Sequence, residues 1–95
     1  MTIQIKDNTI ELKQTLRSMI IFEKITERTF NIINISDVVI YFYSVVMASS
    51  LNSNIAFDEF VDWLDNNPEA FTEFNEWLTT EAEKNNKLTG KKKKK

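Results

Sequence analysis

The chain has 95 residues, 42% hydrophobic and 12% aromatic, with one glycine, one proline, no cysteine and no histidine. That length makes one domain with a modest core. The missing residues exclude disulfides, thiolate metal sites and cysteine nucleophiles, and they remove the commonest general base and zinc ligand. The net charge of −2 hides an uneven distribution: the first fifty residues balance, residues 51–86 carry −8, and Lys87 with Lys91 to Lys95 adds +6.

Ile3, Ile5, Ile10 and Leu12 alternate with Gln4, Lys6, Glu11 and Lys13 around Asp7-Asn8-Thr9. This predicts a hairpin with one apolar face, which must lie against helices because a lone hairpin is marginal. Thr15 can cap a helix over about 16–28, with Leu16, Met19, Ile20 and Ile25 facing inward. Residues 29–34 are a connector carrying Phe30, Ile32 and Ile33. Ser36 and Asp37 read as the next helix start, with Ile35 as a hydrophobic staple. In that helix Val38, Val39, Phe42, Val45, Val46 and Ser49 share one side, while Ile40, Tyr41, Tyr43 and Met47 cover the rest. A helix apolar nearly all round belongs in the middle of a bundle. The β-branched content allows a strand instead, but the length favours helix.

After a polar loop over 51–55, Phe57, Phe60, Val61 and Leu64 follow the i, i+3, i+4, i+7 pattern of a third helix. Asn67 caps a fourth, with Pro68 at its first position and Glu69 at its positive end. Its apolar stripe is Ala70, Phe71, Phe74, Trp77, Leu78 and Ala82, with Glu69, Glu73, Glu76 and Glu83 opposite. The expected architecture is a mostly helical α+β domain over residues 1–86, a hairpin followed by about four helices, and then a disordered basic tail over 87–95.

The carboxylates suggest a calcium loop only superficially. With Glu59 at the twelfth position, Ala48 falls at the first and Ser53 at the sixth, where a calcium-binding loop needs an oxygen ligand and a glycine. No Gly-rich phosphate loop and no nucleophile–base set can be assembled. The expected catalytic, cofactor and metal residues are therefore none. The lysine run could meet phosphates, but the acidic domain before it opposes nucleic acid. The longest apolar stretch, Val38 to Ala48, is far short of the ~20 residues of a membrane span. The polar N-terminus lacks a secretion signal, so a soluble intracellular protein is expected. The surplus aromatics leave a binding role, with Tyr41, Tyr43, Phe60, Trp63 and Trp77 as candidate partner-binding residues against a plain core-filling role.

The run Leu16-Arg17-Ser18-Met19-Ile20-Ile21-Phe22-Glu23-Lys24-Ile25-Thr26 resembles the early helix of phage tail assembly chaperones, small proteins of long-tailed bacteriophages of Gram-positive hosts. The helix carrying Asp37, Tyr43 and Ala48-Ser49 is similar to the family's central helix. Phe57 to Leu64 and Pro68 to Leu78 resemble its C-terminal pair. Two positions depart from the pattern. Glu27 stands where a glycine is frequent, and Ala56 stands where a Ser or Thr cap is expected, at a cost of ~1 kcal/mol.

The resemblance implies a non-enzymatic protein of the host cell cytoplasm, absent from the mature virion and without cofactors. It binds the tape measure protein and keeps it soluble, with the tail tube protein as a second candidate partner. Nucleic acid and membrane are not implied as partners, and a homo-oligomer is left open. The alternatives are an interaction module acting on a host factor and a small nucleic-acid accessory protein.

The resemblance also implies a longer fusion product, made by ribosomal frameshifting near the end of the gene. Lysine codons begin with two adenines, so Lys91 to Lys95 are written in adenine-rich sequence on which a ribosome can slip. Mass spectrometry of protein made from the native gene should then reveal a larger product sharing residues 1–90. A single species ending at Lys95 would sink this expectation.

Overall fold

The structure, a computed structural model, describes residues 1–50 and 54–93, with side chains described as far as Ala82. It has the expected class, mostly helical α+β: an N-terminal antiparallel hairpin followed by four helices. Strand β1 (Thr2–Ile5) pairs with β2 (Asn8–Glu11) so that Ile3 faces Ile10 and Ile5 faces Asn8. The two-residue turn is Lys6-Asp7, both left-handed at φ 50° and 66°. Positive φ at both turn positions matches the twist of the strands, and it explains how a hairpin forms without an Asn-Gly pair. Ile3, Ile5, Ile10 and Leu12 are all buried, as their alternation predicts.

Helix α1 (Leu16–Thr26) starts at Thr15, whose Oγ1 accepts from the Ser18 N–H at 3.2 Å while the Thr15 N–H donates to Ser18 Oγ at 3.1 Å. The expected inward face is the wrong one. Ser18 and Phe22 are buried, whereas Leu16 is 72% exposed and Met19, Ile20 and Ile25 also face solvent. Met19 to Phe22 are four consecutive apolar residues, which span most of a helical circumference at about 100° each. They cannot all face inward. The large ring of Phe22 wins by meeting Phe30 at 5.2 Å and Tyr41 at 6.1 Å.

Helix α2 (Ile35–Ser49) is capped two positions earlier than Ser36 suggests: Asn34 Oδ1 accepts from the Asp37 N–H at 2.9 Å. Ile35 is thus the first helical residue, and at 70% exposed it staples nothing. α2 is the central helix. Tyr41, Phe42, Val45 and Val46 are fully enclosed.

Helix α3 (Phe57–Asn66) lacks a side-chain cap because Ala56 has no acceptor. Glu59 partly makes up for it, its Oε1 accepting from the Ala56 N–H at 3.0 Å. Helix α4 (Pro68–Lys93) follows after a single residue, Asn67. Asn67 serves both helices: its carbonyl accepts from Ala70 N–H at 2.9 Å, and its side-chain amide turns back to donate to the Trp63 carbonyl at 2.8 Å. Ala70 and Phe74 are buried and Phe71, Trp77 and Leu78 half-buried, close to the expected stripe, although Ala82 is exposed. α4 runs past Asn86, where the sequence reading ends the domain. The helix covers residues 87–93 of the expected tail, while the side chains from Glu83 onward and residues 94–95 lie outside the described residues.

Glu27, which ends α1, sits at φ 57° in the left-handed region. A residue with a Cβ is strained there by ~1–2 kcal/mol, whereas glycine is not and loses only ~0.5–1 kcal/mol through its greater freedom when unfolded. Glu27→Gly should therefore raise the free energy of unfolding by up to ~1 kcal/mol and the melting midpoint by several degrees. A lower midpoint for this variant would show that the left-handed position is not strained.

Candidate interaction surface

The buried polar residues come first, because they are where chemistry would sit. Ser18, Asp37 and Ser44 are buried. Ser18 Oγ donates to the Thr15 carbonyl at 2.6 Å, and Ser44 Oγ donates to the Ile40 carbonyl at 2.8 Å. Asp37 accepts from the Ile33 N–H at 2.9 Å and from Arg28 Nη2 at 2.6 Å. No buried side-chain polar atom among the described residues lacks a partner. These groups hold the backbone in place.

Asp37 organises the crossing from α1 to α2. Its carboxyl is held below the usual carboxylate range, chiefly by the Ile33 N–H, with the Arg28 guanidinium beside it acting against the cost of burial. The guanidinium also lies 5.9 Å from the centre of the Phe22 ring. Glu59 is likewise held below its ordinary value, first by the Ala56 N–H and then by Lys6 at 3.0 Å. That ion pair and the 3.0 Å bond from Trp63 Nε1 to the Gln4 carbonyl tie α3 to the hairpin.

The five aromatics expected to bind a partner do not form one patch. Tyr41 and Phe60 are core residues, 1% and 0% exposed, which corrects their reading as surface anchors. Tyr41 donates its hydroxyl to Gln14 Oε1 at 2.9 Å, and burial pushes its pKa up. Tyr43 is half-buried, donating to the Ile55 carbonyl at 2.6 Å, and its ring meets Phe57 edge-on at 5.2 Å. Trp63 is half-buried between Phe60, at 5.8 Å, and β1. Trp77 lies beside Phe74 at 5.8 Å. The rings form a chain through the core, with Trp63, Tyr43 and Trp77 at its margins.

Besides the outer face of α1, apolar surface is exposed at one further place among the described residues. An open groove of about 300 Å³ is lined by Ile35, Ser36, Val39, Ile40 and Phe57, between the start of α2 and the start of α3. Ile33, 69% exposed, is two residues from Ile35 in the chain. Tyr43 supports the groove from behind through Phe57. Asp58, Asp62 and Asp65 on α3, and Glu69, Glu73 and Glu76 on α4, are exposed. No described cation lies within ion-pair distance of these six carboxylates. Sequence reading missed the groove because Ile35 looked like a staple and Phe57 like core. The usable signal was that α2 is apolar nearly all round, which is more apolar surface than its neighbours cover.

Among the described residues there is no cluster of three or more potential metal-ligating side chains, and no helix is long and apolar enough to cross a membrane. Residues 52 and 53 of the calcium-loop comparison lie outside the described residues. No family model, curated protein or solved structure matches the chain.

The lowered pKa of Asp37 gives a pH dependence of known sign. The unfolded carboxyl takes up its proton at higher pH than the folded one, so the stabilisation is complete above about pH 4 and is lost as pH falls towards the lowered folded value. Asp37→Asn should melt below wild type from pH 5 to 7, and the gap should narrow as pH falls below about 4. A gap independent of pH would show that the Asp37 charge contributes nothing.

Proposed function

We propose that this protein is a non-enzymatic chaperone of phage tail assembly, which binds the tape measure protein in the host cell cytoplasm and keeps it soluble until the tail is built. The observation that carries this reading is the open groove of Ile35, Val39, Ile40 and Phe57 on a domain whose α3 and α4 expose six carboxylates with no described cation partner. An apolar groove between two helices suits an amphipathic helix, which lays its own apolar face into it. The acidic surface then keeps the loaded complex dispersed, because like net charge opposes association. The ordered resemblance of the helices to those of tail assembly chaperones supports the same role. Catalysis is not part of this reading; among the described residues the buried polar side chains all have hydrogen-bond partners.

Co-expression with the phage's tape measure protein tests it. The chaperone should raise the client's soluble yield and co-purify with it. Ile35→Ser with Phe57→Ser should abolish co-purification while costing at most ~2 kcal/mol of stability, because both side chains are already substantially exposed. Unchanged client solubility and no complex with the unaltered protein would remove the chaperone reading. A complex that survives the double substitution would move the binding face away from the groove.

A further inference from the structure

Two helices of this chain carry the same spacing of outward-facing residues with opposite charge. On α1 the set is Leu16, Arg17, Ile20 and Lys24. On α3 it is Phe57, Asp58, Val61 and Asp65. Both sets occupy positions i, i+1, i+4 and i+8, which at about 100° per residue fall within an arc of about 100°. All are exposed except Val61, which is half-buried. Each face thus has two apolar residues one turn apart, flanked along one side by two like charges.

None of the four charges lies within ion-pair distance of a described partner in its own chain. Nor can the two faces meet within one molecule. α1 packs against α2 through Phe22 on Tyr41, and α3 through Phe60 on Phe42 and Tyr43, which leaves both faces turned to solvent.

We propose that α1 of one copy docks on α3 of a second copy through these two faces. Ile20 meets Val61 at the centre of the contact, Leu16 and Phe57 lie at its two ends, and the basic pair meets the acidic pair. In each helix the two charges are seven residues apart, so Arg17 can meet Asp65 while Lys24 meets Asp58, about 10 Å along the axis. That antiparallel arrangement also opposes the helix dipoles favourably. The contact joins two different surfaces, so each copy keeps one of each face and assembly proceeds head to tail. A second copy fits better than an unrelated partner because the register and the charge complement are both already present in the chain. The inference does not depend on the chaperone reading.

Sedimentation of the full chain decides the matter. The average mass should rise with concentration and fall when salt is added, because screening weakens exposed charge pairs. Arg17→Glu with Lys24→Glu should weaken self-association by about tenfold or more, and so should Asp58→Lys with Asp65→Lys. An equimolar mixture of the two double variants should associate again, because each then offers the charge the other lacks. Circular dichroism checks that both are folded. Should either reversal unfold the chain, the neutral pairs Arg17→Gln with Lys24→Gln and Asp58→Asn with Asp65→Asn should still weaken association several-fold.

A wild-type chain that stays monomeric at its solubility limit in low salt overturns the proposal. So does a mixture that remains dissociated although both components are folded. Association abolished by the α3 reversal but unaffected by the α1 reversal also overturns it, since the acidic face would then be meeting something else, such as the lysine run at Lys91 to Lys95.

Discussion

Two consecutive side chains on α2, Tyr41 and Phe42, touch every other helix of the protein. Tyr41 meets Phe22 of α1, Phe30 of the connector and Phe74 of α4, while Phe42 meets Phe60 and Trp63 of α3 and stacks flat on Phe74 at 4.1 Å. Neighbouring residues on a helix point about 100° apart, so this one pair sets the directions from which the other helices can approach. The two rings differ in one atom that matters. The Tyr41 hydroxyl must be satisfied because it is buried, and it reaches Gln14, with Ser18 Oγ 3.4 Å away. Those two residues flank the start of α1. The hydroxyl therefore fixes how α1 is turned about its own axis, and it does so by selecting Ser18 and Phe22 as the inward face.

That choice in the core determines the surface. Turning Ser18 inward leaves Leu16 and Ile20 in solvent, which no purely hydrophobic ranking of α1 would select. The same holds for α2, where capping by Asn34 rather than Ser36 makes Ile35 an exposed first-turn residue at the mouth of the groove. In both places a polar contact outranks the burial of an isoleucine or leucine. A fully buried aliphatic side chain gains ~1.5–3 kcal/mol, but a buried hydroxyl or backbone N–H left without a partner costs a comparable amount and also wastes the cap.

The hairpin was legible in the sequence because a period of two leaves no choice of face: Ile3, Ile5, Ile10 and Leu12 can only point one way together. α3 and α4 were legible because Phe60, Leu64, Ala70 and Phe74 sit in stripes with carboxylates opposite. α1 was not, since six of its residues are apolar and offer competing faces, and the deciding partner, Tyr41, lies 23 residues beyond Ser18. The aromatic candidates misled for a related reason. A tyrosine or phenylalanine is equally suited to a core and to a binding patch, and only the neighbours brought by the fold distinguish Tyr41 and Phe60 from the half-buried Tyr43, Trp63 and Trp77. Asp37 gave no hint that its carboxylate would leave its own helix end to hold Arg28 and Ile33.

The carboxylates divide by what they touch. Asp37 and Glu59 each accept a backbone N–H and pair with one cation, so they hold elements together. Asp58 and Asp65 sit one helical face away from Glu59 and pair with no cation among the described residues. Between them and the groove stands Phe57, whose ring both lines the groove and begins the α3 face. A client helix seated in the groove and the α1 helix of a second copy would both need that ring. Whatever covers Phe57 first removes one of the four positions from the other's footprint, and linkage makes the effect reciprocal: each occupant weakens the other by the same factor.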